Sequence, residues 1–365
     1  ELKLFQILKI LIIFFILMKK RFIGNLEVSE IGMGTMAFSH GYGQIPSEEY
    51  SIAAIRKAYS LGCTFFDTAE VYGNVLYEPG HNERIVGKAI EEFRTKIILA
   101  TKFFIEKKEY VDKNITLYDA LLSHIKQSLK NLKTDYIDLY YLHRINEEIP
   151  VEEIAEVMKK FIEEKLIRGW GLSAVGLNYI ERAHKVCPVT AVQNIYNLLE
   201  RDAEKEVIPF CLKNNIGFVP FSPVSSGILG GKIDENTKFE EKDDVRNWVP
   251  QCRKENIIKN KPLIEYIRSF ANKKNCTMAQ LSLAWMVRKY PNCVPIPGSK
   301  NLEKIIENIE SYKEEVNEKE LEEFENGLSK FTIYGHRGQE ETFQLIAKLI
   351  AAASNKDNDI DFSTK

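Results

Sequence analysis

The chain has 365 residues, 44% of them hydrophobic, with 50 Lys and Arg against 52 Asp and Glu and a formal net charge of -2. That length and apolar content support a large buried core, and the balanced charge, with no long basic tract, excludes a nucleic-acid groove. The six cysteines, at 63, 187, 211, 252, 276 and 293, are scattered without CxxC or other metal-ligand spacing. Free thiols in a reducing, cytoplasmic setting and no bound metal are therefore expected.

Residues 4–17, LFQILKILIIFFIL, are almost wholly apolar. The run is shorter than the ~20 residues a membrane-spanning helix needs. Its strong basic cluster, MKKR, follows rather than precedes it, and no small-residue cleavage site is present, the reverse of a signal peptide. Two readings stay open. Residues 1–17 are an extension or leader remnant ahead of a start at Met18, or they are a targeting or membrane segment.

From residue 26 the pattern is regular. SEIGMGT (29–35) predicts the first strand, followed by a helix capped by Ser47 and ending at Gly62. CTFFD (63–67), KIILATK (96–102) and YIDLYYLH (136–143) are apolar runs of strand length, each followed by a helical pattern at 82–93, 116–132 and 151–165. LIRGWGLS (166–173), PVTAVQN (188–194) and IGFVPFSP (216–223) continue the alternation, with a long irregular stretch at about 224–259. Helices are predicted at 260–273 and 278–290, then the last strand, NCVPIPGSK (292–300), and a helix opening with NLEKIIENIE.

Eight strand-like runs, each feeding a helix, predict an α/β fold, a (β/α)8 TIM barrel with extra C-terminal helices. A doubly wound sheet more often places a glycine-rich phosphate loop after its first strand, and GMGTMAFSHGYG lacks G-x-G-x-x-G. Further helical patterns lie at 318–328 and 342–353. The expected organisation is the extension 1–17, a barrel domain at 18–338, and a C-terminal helix with a polar tail at 339–365.

Polar residues at the carboxyl ends of barrel strands converge on one mouth. Here Asp67 closes CTFFD, Tyr72 follows in TAEVYG, Lys102 closes IILATK and His143 closes DLYYLH. Each has a structural alternative: a helix cap, a packing tyrosine, a solvated strand end, a satisfied imidazole. Together they make a proton-transfer set. Reducing a carbonyl places negative charge on oxygen, which needs a proton and a stabilising dipole. Tyr72 is the donor, Lys102 favours its phenolate, Asp67 holds Lys102, and His143 orients the carbonyl.

The chain resembles the aldo-keto reductase superfamily over roughly residues 21–338. The resemblance rests on FFDTAEVYG, ILATKF, SLKNLKTDYIDLYYLHR, IRGWGLS, TAVQNIYNL, IGFVPFSP, LSLAWMVRKYPNCVPIPGS and the Glu-Asn pair at 307–308, in that order. It looks most like the bacterial, fungal and plant branch that includes pyridoxal reductases. The resemblance implies a barrel binding NADPH, with NADH the lesser alternative, and an Asp-Tyr-Lys-His group at Asp67, Tyr72, Lys102 and His143.

It further implies that Ser173 and Gln193 contact the nicotinamide carboxamide, where Ala174 replaces a common Asn, and that Phe221 stacks on the nicotinamide. Ser222 and SSGILGGK (225–232) would cover the pyrophosphate, and Ser299 and Lys300 would grip a phosphate near a helix start. Lys304 would meet the 2′-phosphate, with Glu307 and Asn308 at the adenine. Phe221 has a core-packing alternative, and the residues near 304–308 a solvated helix face.

Met36, Phe38, His40 and Trp248 are candidates for an apolar pocket wall, and the polar balance around them favours a neutral small-molecule carbonyl substrate. A monomer is the expected state. The competing reading is a cofactor-binding regulatory subunit similar to potassium-channel β subunits; a non-redox barrel such as an isomerase leaves the joint pattern unexplained.

Overall fold

A computed structural model describes residues 18–337 apart from 75, 242 and 243. The apolar extension at 1–17 and the expected helix and tail at 339–365 lie outside the described residues. The described chain opens with an antiparallel hairpin, β1 (Lys20–Ile23) and β2 (Leu26–Ser29), with Ile23 opposite Leu26. The expectation of a first strand at 29–35 omits this hairpin. Its signal is Gly24-Asn25 between two short runs. Gly24 takes φ +58, and a Cβ there would lie 2.9 Å from Thr190 Cγ2.

Seven parallel strands follow, each hydrogen-bonded to the next in chain order: β3 (Met33–Gly34), β4 (Phe65–Asp67), β5 (Ile98–Phe103), β6 (Ile137–Leu142), β7 (Ile167–Ser173), β8 (Ala191–Gln193) and β9 (Gly217–Phe218). The sheet is curled and flanked by helices. The eighth strand expected at 292–300 forms only isolated bridges among the described residues, Phe218 with Cys293 and Gly34 with Gly298. Val294 and Ile296 donate to the carbonyls of Phe218 and Pro220 at 2.9 and 3.1 Å. On the other side Gly32 and Gly34 donate to the carbonyls of Pro295 and Pro297 at 2.9 and 3.3 Å. Neither proline has an N–H to give back, so the pairing towards β3 runs in one direction only.

The helices begin where their polar residues direct. Ser47 Oγ accepts from the Tyr50 N–H, and Thr116 with Asp119 and Thr277 with Gln280 form reciprocal capping boxes. The helix expected at 260–273 starts earlier, at Lys254, and carries Pro262 inside it. Its first turns are largely exposed and polar, so they have no apolar stripe to announce them. Among the described residues, no helix is long and apolar enough to cross a membrane.

Two apolar clusters divide the core. The larger lies between the sheet and its helices. The smaller joins Ile23, Leu26 and Val28 of the hairpin to strand residues such as Phe65, Ala100 and Tyr141. The hairpin thus packs against the inward face of the curled sheet at one end, which leaves the carboxyl ends of the strands for the site.

Candidate active site

Strand alternation decides which side chains meet. Phe65, Ala100, Tyr141 and Ala191 belong to the inner cluster. Two residues further along an extended strand the side chain returns to the same face. Those next positions are Asp67, Lys102, His143 and Gln193. The sequence therefore changes from apolar to polar on the inward face just where each strand ends.

Lys102 is fully buried and Asp67 is 2% exposed. The Lys102 ammonium pairs with the Asp67 carboxylate and donates to the Thr68 carbonyl at 2.8 Å and to the Tyr72 hydroxyl at 3.1 Å. All three ammonium protons are thereby engaged. Gln193 Nε2 donates to the other Asp67 oxygen at 2.8 Å. The His143 ring stands edge-on to Tyr72, with centroids 5.7 Å apart and planes at 80°. His40 stands edge-on to Tyr72 at 5.5 Å and accepts the Gly73 N–H at Nδ1, 2.9 Å away. Asp67, Tyr72, Lys102 and His143 are thus brought into one constellation.

The electrostatics separate their protonation states. Burial alone would push the Lys102 ammonium down, but the Asp67 carboxylate and Tyr72 outweigh it and raise its pKa, so the cation is retained. Burial, with the nearby Arg144, Lys102 and His40, holds His143 well below the ordinary imidazole range and therefore neutral. For Tyr72 burial is the largest influence and raises the phenol; Lys102 and Arg144 pull the other way without reversing it. The expectation that Lys102 favours the phenolate describes one contribution, and the net direction is upward.

The cofactor candidates fall into two groups. At the mouth, Ser173 Oγ accepts from Arg144 Nη1 at 3.3 Å, and Ala174 after it stands at φ +53. Phe221 packs on the inner cluster, and its N–H donates to the Asn194 carbonyl at 3.1 Å. Ser222, at φ +49, accepts from Arg337 Nη1 at 3.2 Å. The turn beyond it is strained: Ser225, Ser226 and Gly227 stand at φ +50, +52 and +94. Ser225 Oγ is buried and has no hydrogen-bond partner among the described residues.

The second group follows residues 292–298. Ser299 Oγ accepts the Asn301 N–H at 3.1 Å, and Lys300 Nζ donates to the Gln44 carbonyl at 2.6 Å. Lys304 pairs with Glu307 at 2.6 Å, while Asn308 is buried.

The aldo/keto reductase family model matches residues 30–327. The chain belongs to the aldo/keto reductase family. It is 39% identical over 302 residues to "Probable aldo-keto reductase 1" of Glycine max, covering 82% of this chain and 85% of that protein. To the NADP(+) aldo-keto reductase yakc of Schizosaccharomyces pombe it is 35% identical over 334 residues, covering 87% of this chain and 93% of that one. Among solved structures, an aldo-keto reductase from Klebsiella pneumoniae in complex with NADPH superposes with a TM-score of 0.64 at 25% identity, covering 85% of this chain and 96% of that chain.

Within this aldo/keto reductase the sequence reading misplaced one pocket residue. Phe38 is fully buried in the outer core and cannot wall a pocket. It also missed several neighbours of the site. Asn82 is buried; its amide donates to the Thr35 carbonyl at 3.0 Å and Ser39 Oγ at 2.7 Å, and its oxygen accepts from Thr35 and Thr68. That hub ties the end of β4 at Asp67 and the loop carrying His40 to the next helix. Arg144 sits beside His143 in the chain and was legible there. Arg337 is far from every motif and gives no local signal.

Proposed function

We propose that this chain reduces aldehyde or ketone carbonyls to alcohols with NADPH, using Asp67, Tyr72, Lys102 and His143. The observation that carries the reading is the Lys102 ammonium, its three donors divided among Asp67, the Thr68 carbonyl and the Tyr72 hydroxyl, at strand ends in a family-matched chain. NADP(+) in the name of the fission-yeast relative and NADPH in the Klebsiella complex support the choice of cofactor.

The residues fit a dinucleotide. Ser225 holds a buried hydroxyl with no partner among the described residues, in a turn where three successive residues stand in the left-handed region. Strain of that kind collects at ligand sites. Ser173, Gln193 and Phe221 would hold the nicotinamide, Ser222 and Ser225 the diphosphate, and Ser299, Lys300, Lys304, Glu307 and Asn308 the adenosine end. When bound, NADPH supplies a hydride to the carbonyl carbon.

The chain's own residues handle the oxygen. Neutral His143 donates a hydrogen bond that orients the carbonyl, and Tyr72 gives up its hydroxyl proton as charge develops there. An alkoxide is a much stronger base than a phenolate, so the transfer runs downhill even from a phenol raised by burial. Lys102 then sits 3.1 Å from the phenolate that remains and stabilises it until solvent returns the proton. Asp67 keeps Lys102 charged.

We also propose that the barrel is closed. Residues 292–298, hydrogen-bonded towards both β9 and β3, act as the eighth stave of a closed (β/α)8 barrel within one domain at 18–338. All six cysteines are free, five of them buried, in keeping with a cytoplasmic setting.

Titration of the protein with NADPH and NADH, followed by a panel of neutral aldehydes with absorbance read at the reduced-cofactor band, tests the reading. Tight NADPH binding and steady aldehyde-dependent oxidation are expected. Binding without turnover across the panel would count against an enzyme.

A further inference from the structure

The family match ends at residue 327, and the described chain continues to 337. After the helix Glu318–Leu328 the chain folds back towards the strand ends and is fastened at each step. Tyr334 and Asn260 exchange two hydrogen bonds, both 2.9 Å, between the Asn side chain and the Tyr backbone. Gly335 turns at φ +75, where a Cβ would lie 2.6 Å from Asn256 Nδ2 and 2.8 Å from the Pro250 carbonyl. His336 lies between two carboxylates, with Nδ1 on Glu200 and Nε2 on Asp202, each at 2.5 Å. The Arg337 N–H donates to Glu200 at 2.8 Å.

These fastenings deliver one side chain. Arg337 is 7% exposed, donates from Nη1 to Ser222 Oγ at 3.2 Å, and lies 5.9 Å from the centre of the Phe221 ring. Tyr42, the Glu200 carboxylate and Cys252 act on it electrostatically. On this side of the mouth the loop after β3 meets the loops after β9 and after residue 298. Val245 N–H donates to the Gly41 carbonyl at 2.9 Å, and Lys300 Nζ to the Gln44 carbonyl at 2.6 Å.

We propose that Arg337, carried by a C-terminal strap at residues 331–337, is a ligand for the diphosphate of the dinucleotide. The proposal rests on the reading under Proposed function, which places Phe221 on the nicotinamide and Ser222 on the diphosphate. A guanidinium is planar, permanently charged and matched in its fork to two phosphate oxygens. Burial pushes its pKa down against the partial opposition of Tyr42, Glu200 and Cys252, and an arriving dianion adds to the favourable charge around it. The elaborate fastening has a reason on this view: it fixes a long side chain before the ligand arrives, which removes part of the ordering cost from binding.

The test is calorimetric titration of wild type, Arg337→Gln and Arg337→Lys with NADPH, NADH, ADP and adenosine 2′-monophosphate, with melting temperatures checked first. Arg337→Gln is expected to weaken the three diphosphate ligands alike, by roughly 10- to 100-fold, as a charge-assisted bond predicts. Adenosine 2′-monophosphate has no diphosphate and should bind within about 2-fold of wild type. Arg337→Lys keeps the charge without the fork and should fall between; it carries the test if the Gln variant does not fold. Unchanged or tighter ADP and NADPH binding in a folded variant, with wild type binding normally, would overturn this proposal alone. Wild type that binds neither NADPH nor ADP would overturn the cofactor reading and this proposal with it.

Discussion

Lys102 reaches the Tyr72 hydroxyl at 3.1 Å while its charge is held by the Asp67 carboxylate behind it. On the proposed mechanism the cation is shared between the Asp67 carboxylate and a hydroxyl that becomes an anion only during the reaction. That arrangement favours the charged transition state over the resting phenol, and differential stabilisation is what accelerates a chemical step.

Tyr72→Phe removes the hydroxyl and leaves the ring between His40 and His143, which stand 5.5 and 5.7 Å from it. Aldehyde reduction should fall by about 10²- to 10⁴-fold in kcat, the usual worth of a positioned acid. NADPH affinity, read by fluorescence titration, should stay within about 3-fold of wild type. A variant retaining most of its turnover would remove Tyr72 from the mechanism.

The loop that carries Tyr72 has a pH-dependent anchor. His124 lies between Glu70 and Glu109, with contacts of 2.9 and 3.1 Å. Burial alone would lower the imidazole, but Glu70 and Glu109 outweigh it and raise its pKa to about 9. The ordinary value is 6.5, so the folded state binds the proton more tightly than the unfolded one. The stabilisation is complete below about pH 6.5 and is lost as pH rises through about 9. Its size is about 2–3 kcal/mol, with the ring 20% exposed. Urea unfolding of wild type and His124→Gln at pH 6 and pH 10 measures it. The gap between the two proteins should be wide at pH 6 and close by pH 10; a gap independent of pH would reject the anchor.

Ala174 stands at φ +53, a conformation that strains any side chain with a Cβ and that Asn tolerates best. Its N–H donates to the Gln193 carbonyl at 2.9 Å, so the backbone is held there. Ala174→Asn should raise stability by about 0.5–1 kcal/mol, seen as an increase of a few degrees in Tm. A lower Tm would mean that the left-handed backbone is not what limits this position.

The polar ends of the strands were legible because alternation and strand length are local properties. Asp67, Lys102 and His143 each close an apolar run, so their convergence follows once the runs are taken as neighbouring parallel strands. The hairpin Lys20–Ser29 was missed because its strands are short and follow a stretch dominated by the apolar extension. Residues 292–298 looked like a strand from their apolar character, yet Pro295 and Pro297 withhold the donors a regular ladder needs. Arg337 and Asn82 were not legible at all. Their roles come from contacts across the chain, Arg337 with Ser222 and Asn82 with Thr35, and such pairs leave no periodic trace.

Lys304 offers the last test, because a carboxylate already holds it. Its ammonium lies 2.6 Å from Glu307, which also accepts from Thr277 Oγ1 at 2.8 Å. If Lys304 meets the 2′-phosphate, the phosphate must compete with Glu307 for the same cation, and Glu307 repels it as well. Lys304→Ala should therefore weaken NADPH by about 10-fold and NADH by less than 2-fold, since only NADPH carries the 2′-phosphate. Glu307→Gln should act in the opposite direction and improve the preference for NADPH over NADH by a few-fold, because it removes a like charge and releases the cation. Equilibrium titrations of both cofactors against both variants measure the two ratios. Equal losses for NADPH and NADH in Lys304→Ala would place the 2′-phosphate elsewhere. A Glu307→Gln variant that favours NADH would instead show that Glu307 supports NADPH binding through the adenine end.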